Sequence, residues 1–186
     1  MTIIKTRRLT LRPIEKADAA RFEVLCNDKD IARNTARIPD PYTAQDAEIF
    51  VDQLIEARVK GDEYAFAVCC DGEIIACAGA LQTDTAIWEI GYWVGADYRG
   101  QGVASEAADA ITQFAIRALG AATVTAGYFT DNPVSGRVLE KLGFRETGET
   151  KLIYSRGRGE EATSISLALS ADEFAAAPDV VIDRQE

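Results

Sequence analysis

The chain contains no histidine, and its four cysteines show no C-x-x-C spacing. The commonest zinc ligand and the commonest activator of a thiol nucleophile are therefore missing, so no metal is expected. Cys26, Cys69, Cys70 and Cys77 are expected to be structural, reduced thiols. Positive charge is also scarce: 20 Lys and Arg stand against 30 Asp and Glu, a formal net charge of -10. Such a surface repels phosphate backbones and anionic lipid, which argues against nucleic acid or a membrane as partner. No apolar run approaches the roughly 20 residues of a membrane span, and the charged stretch from Met1 to Arg8 lacks the apolar segment of a secretion signal, so a cytoplasmic location is expected. Internal repeats and low-complexity segments are absent. So are the Walker pattern G-x-x-x-x-G-K-[ST] and the fingerprint G-x-G-x-x-G, which removes support for nucleotide hydrolysis and for hydride transfer.

What is present is the balanced composition of a globular protein, in 186 residues, a length suited to one compact domain. That domain is expected over residues 1–170, with 171–186 a tail holding a short helix and a frayed end. Alternation from Ile3 to Ile14 reads as a strand, and apolar residues at Ala19, Phe22 and Leu25 recur at helical spacing. Thr43 with Asp46 resembles a capping box for a second helix carrying Ala47, Phe50, Val51, Leu54 and Ile55 on one stripe and closing near Gly61. Three strands follow, at 64–70, 73–81 and 86–94, the first two joined by Asp71-Gly72, a hairpin signal because both residues of such a turn need positive φ. A helix over 102–119, a strand over 122–129, a helix over 133–142 and a hairpin pairing 145–154 with 163–169 complete the pattern. An antiparallel meander followed by βαβ crossings predicts an α/β fold, with a mixed, mostly antiparallel sheet flanked by helices.

The most informative stretch runs from Val94 to Ala104, where an apolar strand gives way to an amphipathic helix. The first turn of a helix leaves about four N–H groups without acceptors and carries the positive end of the macrodipole, which suits a phosphate. Gly100 and Gly102 permit close backbone approach, and Arg99 is expected to add charge at the rim.

Arg99-Gly100-Gln101-Gly102-Val103-Ala104 matches the (Q/R)-x-x-G-x-(G/A) signature of the GNAT superfamily of N-acetyltransferases. Asn132-Pro133-Val134-Ser135, continuing to Val138-Leu139-Glu140-Lys141-Leu142-Gly143-Phe144, is similar to a second segment of that superfamily. The opening Thr6-Arg7-Arg8-Leu9-Thr10-Leu11-Arg12-Pro13 and the strand Trp88-Glu89-Ile90-Gly91-Tyr92-Trp93-Val94 further resemble the RimJ/RimL branch. The resemblance implies a GNAT-like fold and acetyl-coenzyme A as co-substrate. Its pyrophosphate would lie on Arg99, Gly100, Gln101, Gly102, Val103 and Ala104, and its pantetheine arm along the backbone of Trp93 and Val94 and on Asn132. It also implies transfer of the acetyl group to a primary amine, either a protein N-terminal α-amino group or a small-molecule amine, with the protein a monomer or a homodimer.

Such a transfer needs a neutral amine, stabilisation of the oxyanion and a proton for the leaving thiolate. With no histidine, Glu89 is the leading base, because it interrupts the apolar strand from Ile87 to Val94, where a carboxylate is costly unless solvated or used. The resemblance supports that role. Many members carry a tyrosine acid at the position held here by Leu139, and Ser135, which the RimJ/RimL branch shares, is expected to supply the proton instead. Helix capping is the plainer reading of Asn132 and Ser135. Trp88 and Tyr92 are expected in the core or pocket wall on the face opposite Glu89, and Arg156 and Arg158 at an exposed hairpin tip. Without a convincing nucleophile, direct attack in a ternary complex is favoured over an acyl-enzyme. The rival reading is a non-catalytic acyl-coenzyme A-binding or regulatory module.

Overall fold

A computed structural model describes residues 2–184. Strands Thr2–Lys5 (β1) and Thr10–Pro13 (β2) open the chain, followed by helices Ala19–Cys26 (α1), Lys29–Asn34 (α2) and Ala44–Lys60 (α3). The meander is Glu63–Cys70 (β3), Glu73–Asp84 (β4) and Ile87–Val94 (β5). Val103–Leu119 (α4), Thr123–Phe129 (β6) and Pro133–Lys141 (α5) precede the hairpin Arg145–Ser155 (β7) and Glu160–Ser170 (β8), and Val181–Arg184 (β9) comes last. All these strands form one sheet in the order β7-β8-β6-β5-β4-β3-β2-β1-β9. Every pair is antiparallel except β5 with β6. This is the mixed, mostly antiparallel α/β fold expected. No helix among the described residues is long and apolar enough to cross a membrane.

Local chemistry accounts for the turns and caps. Asp71 and Gly72 take φ of 50° and 82°, as a tight turn between β3 and β4 requires. Thr43 and Asp46 form a reciprocal capping box on α3, and Gly61 ends that helix in the left-handed region at φ 84°. The helices cover both faces of the sheet. On one face α4 buries Ala107, Ile111, Phe114 and Ala115 against Phe66, Trp88, Ile90 and Val124, with Phe114 edge-on to Phe66 at 5.1 Å between centroids. On the other, Phe22 of α1 and Phe50, Val51 and Leu54 of α3 meet Trp93. Each such large side chain removed from water contributes about 1.5–3 kcal/mol, so the layers are held by many modest terms.

The structure departs from the sequence reading in three places. The first strand is a hairpin: Thr6 N–H donates to Leu9 O at 2.9 Å and Leu9 N–H to Thr6 Oγ1 at 2.9 Å, reversing the chain between β1 and β2. Helix α2 carries no periodic signal in its six residues; it forms because Asp28 accepts from the amides of Asp30 and Ile31. The segment after Ser170 makes only a short 3-10 turn, Ala171–Glu173, and then pairs β9 with β1 in place of a frayed end. The free edge of β1 offers the backbone partners that a frayed tail would leave in water. Gln113 Nε2 also donates to Ala177 O at 3.0 Å and holds the tail on α4.

Candidate active site

The one parallel pair of the sheet creates an opening. β5 and β6 are in register only at Ile87↔Thr123, Trp88↔Val124 and Glu89↔Thr125. Beyond that row β5 stays with β4 through Val94, and β6 stays with β8 through Phe129, so the two strands diverge as a wedge. Gly95 N–H donates to Ile75 O at 2.9 Å. Because backbone groups alternate along a strand, those of Trp93 then turn toward β4, whereas those of Tyr92 and Val94 face the wedge. The backbone of Trp93 is thus engaged with β4, and the groups open to the wedge are those of its two neighbours. The Trp93 side chain is core, edge-on to Phe22 at 5.3 Å.

The glycine loop lies at the open end of this wedge, where β5 leads into α4. Gly100 and Gly102 sit at φ 73° and 80°, and Gly102 is the N-cap of α4. The conformation leaves the first-turn amides of α4, including Val103 and Ala104, without intrahelical acceptors, so the loop fits an anion. Arg99 is employed differently from expectation. Its guanidinium pairs with Asp28 at 2.7 Å and Asp30 at 3.2 Å, and its Nε donates to Val94 O at 3.1 Å. Arg99 therefore ties α2 to the end of β5 instead of offering free charge at the rim. Gln101 Nε2 is likewise bonded, to Asp97 O at 2.9 Å. The cation that borders the loop is Arg8, which donates to Gln101 O at 2.9 Å and pairs with Glu106 at 2.8 Å. Thr6 reaches the same carboxylate at 2.6 Å, so the opening segment of the chain braces the loop.

The two faces of the wedge differ. Glu89 is half-buried, and its carboxylate has no hydrogen bond or ion pair among the described residues. Two residues on, Gly91 is exposed, and a Cβ there would meet nothing within 4 Å. Continuing the register sets Gly91 beside Gly127 of β6 on the same face; beyond the Glu89–Thr125 row the floor is open at Gly91, while Ser164 Oγ of β8 lies only 2.9 Å from where a Cβ on Gly127 would stand. A glycine within an apolar strand, as Gly91 is, signals close approach of another backbone or a ligand. On the opposite face Trp88 and Ile90 are core, as expected of Trp88, but Tyr92 does more than line a wall. Its hydroxyl lies 3.0 Å from Ser135 Oγ, across the opening to α5. Asn132 caps α5, its Oδ1 accepting from Ser135 N–H at 3.4 Å. That is the plainer reading of Asn132, and it leaves the amide Nδ2 without an acceptor among the described residues.

Above the Glu89 face, the tip of the β7–β8 hairpin docks on α2. Arg158 pairs with Asp131 at 2.8 Å, stacks over Phe129 at 4.8 Å and donates to Arg33 O at 2.7 Å. Arg33 holds the same Asp131. These two guanidiniums keep the Asp131 carboxyl well below the usual carboxylate range, so the cluster stays charged in mild acid. Arg156 N–H bonds Ala36 O at 2.9 Å, its guanidinium meets Asp46 at 3.3 Å, and a Cβ on Gly157 would collide with the Ala32 backbone. Arg156 and Arg158 are thus structural ties, not the surface decoration expected of them. Two surface hollows of about 220 and 250 Å3 lie outside the wedge, one beside Arg37, Tyr42 and Arg156, the other beside Arg8, Cys70 and Gln101.

Residues 8–145 match the acetyltransferase (GNAT) domain family. This chain belongs to that family. The acetyltransferase is 29% identical over 170 residues to the SPbeta prophage-derived uncharacterized N-acetyltransferase YokL of Bacillus subtilis, an alignment that covers 89% of this chain and 92% of the relative. Among solved structures, it shares its fold with Mycobacterium smegmatis RimJ in complex with CoA-disulfide, at a TM-score of 0.79 and 21% identity, over 93% and 88% of the two chains. It also shares it with RimL, the ribosomal L7/L12 alpha-N-protein acetyltransferase, in complex with coenzyme A, at a TM-score of 0.80 and 18% identity, over 92% and 99%. The expected likeness to RimJ and RimL is met in the fold.

Proposed function

We propose that this acetyltransferase takes the acetyl group from acetyl-coenzyme A and transfers it to a primary amine, by direct attack while both substrates are bound. The observation that carries this reading is the wedge between β5 and β6, with a glycine-lined helix start at its open end and the unpaired Glu89 beside it. The coenzyme A complex of RimL, a protein of the same fold, supports the choice of donor.

In this reading Gly100, Gln101, Gly102, Val103 and Ala104 hold the pyrophosphate through backbone amides, with Arg8, itself paired with Glu106, bracing the loop beside them. Tyr92 and Val94 turn backbone groups toward the pantetheine arm, with Asn132 Nδ2 available to its amides. The Val94 carbonyl is already taken by Arg99, which leaves its N–H to polarise the thioester carbonyl. Glu89, directly or through a water, removes the proton from the amine, which approaches over Gly91. Ser135 presents its hydroxyl proton to the departing sulfur. A covalent acyl-enzyme finds no support in the buried thiols. Cys26, Cys69 and Cys77 are buried, and burial pushes the Cys77 thiol up to about 12, so it stays protonated at neutral pH.

The acceptor is either a protein N-terminal α-amino group or a small-molecule amine. Calorimetric titration with acetyl-coenzyme A, followed by a thiol-release assay against peptides and small amines, tests the proposal. Binding with release that depends on the amine is expected. Absence of binding would overturn the donor assignment, and binding without release from any amine would overturn the transfer.

A further inference from the structure

The bond between Tyr92 and Ser135 is a direct side-chain link across the wedge, and its chemistry has a direction. Tyr92 stands on β5 three residues past the last row paired with β6. Ser135 is the third residue of α5, the helix that follows β6. The helix start is rigidly placed: Ser135 N–H bonds Asn132 O at 3.2 Å. A Cβ on Gly136 would lie only 2.7 Å from the Tyr128 ring, so the absence of a side chain there lets α5 settle onto β6. The Tyr92 oxygen then lies 3.0 Å from Ser135 Oγ, and the weaker contact to Ser135 O is 3.5 Å. Both hydroxyls can donate. A phenol is a far stronger acid than an alcohol, so it is the preferred donor of the pair. Burial of Tyr92 further raises its pKa from the ordinary phenol value, an effect partly opposed by the bond to Ser135, so the phenol keeps its proton at neutral pH.

We propose that Tyr92 is a positioning residue that donates to Ser135 Oγ, leaving the serine's single proton to point into the wedge and hydrogen-bond the departing sulfur. The inference rests on the role proposed above for Ser135. In the transfer, the nitrogen forms its bond to the acetyl carbon and the carbon–sulfur bond breaks with its electron pair on sulfur. The surplus nitrogen proton goes to Glu89. Ser135 and Tyr92 keep their protons while they stabilise the sulfur, which takes its own from water on release. The phenol makes the serine hydroxyl a better donor because hydrogen bonds in a chain polarise one another.

Tyr92→Phe, Ser135→Ala and the double variant test this, with kcat measured at saturating acetyl-coenzyme A and amine, and coenzyme affinity measured by calorimetry. Loss of one hydrogen bond to developing charge corresponds to about a tenfold fall in kcat, expected for each single variant, with the dissociation constant nearly unchanged. The double variant should be no slower than Ser135→Ala. If Tyr92→Phe costs as much in the Ser135→Ala background as in the native one, Tyr92 acts through packing and the inference fails. If Ser135→Ala is slow and Tyr92→Phe is not, the inference fails while the role of Ser135 stands. Full activity in Ser135→Ala would remove Ser135 from the chemistry and the inference with it.

Discussion

The two faces of the β5–β6 wedge are built on opposite plans. Toward α1–α3 the strands present Gly91 and Gly127, with Glu89 left without a partner among the described residues, beneath a roof made of the Arg33, Asp131 and Arg158 cluster. Toward α4 and α5 they present Tyr92 and Tyr128, the first bonded to Ser135 and the second pressed against Gly136. The first face is open at Gly91, and the second is closed by its two tyrosines. In the function proposed above this difference is a division of labour, in which the amine would arrive over Gly91 and the helix-side groups would hold the donor and its leaving sulfur. A base with no competing partner belongs on the first side, and fixed hydrogen-bond donors belong on the second.

Removing the base should have the largest effect on this contrast. Glu89→Gln is expected to lower kcat by roughly 10²–10⁴-fold, the usual contribution of a general base, while calorimetry finds acetyl-coenzyme A affinity intact. A fast Glu89→Gln enzyme would leave the glycine face without its chemistry. Gly102→Val acts at the other substrate. It forces a β-branched residue to φ 80° and toward Arg8, strain of order 1–3 kcal/mol, so the dissociation constant for acetyl-coenzyme A should rise about tenfold. Unchanged affinity would take the loop out of the site. Gly136→Ala should lower the melting temperature, because overpacking against Tyr128 costs about 1–3 kcal/mol, and should slow kcat as Ser135 moves. Arg158→Ala, which unties a cluster whose Arg33 and Asp131 stay partly in water, should change kcat least and raise the amine KM only a few fold. Steady-state kinetics with the amine varied separates these last two.

The part of this account legible in the sequence is the part built from local rules. The meander, the Asp71-Gly72 turn, helices α3 and α4 and the glycine loop each follow from spacing within a dozen residues. Glu89 stood out because a carboxylate in an apolar strand is costly. What escaped depends on contacts distant in sequence. Arg99 looked like a free cation until α2 brought Asp28 and Asp30 to it. Arg156 and Arg158 looked like surface charge until the hairpin reached α2 and the loop before α5. Tyr92 looked like wall until α5 placed Ser135 beside it. The first strand concealed a reversal made by one threonine hydroxyl, and β9 forms only because β1 has a free edge to pair with. Trp93 and Val94 were adjacent in sequence, yet strand alternation turns their backbones opposite ways, which no residue type announces.

The division between the faces is tested most directly at Gly91, where an added side chain enters open space and strains nothing in the fold. For Gly91→Val the measurement is kcat/KM for the amine alongside the dissociation constant for acetyl-coenzyme A. Misplacing the attacking atom by about 1 Å can cost on the order of 10²-fold, so a fall of ten- to a hundredfold in kcat/KM with native coenzyme affinity is predicted. Native kcat/KM in this variant, or a loss confined to coenzyme binding, would contradict the assignment of the glycine face to the amine.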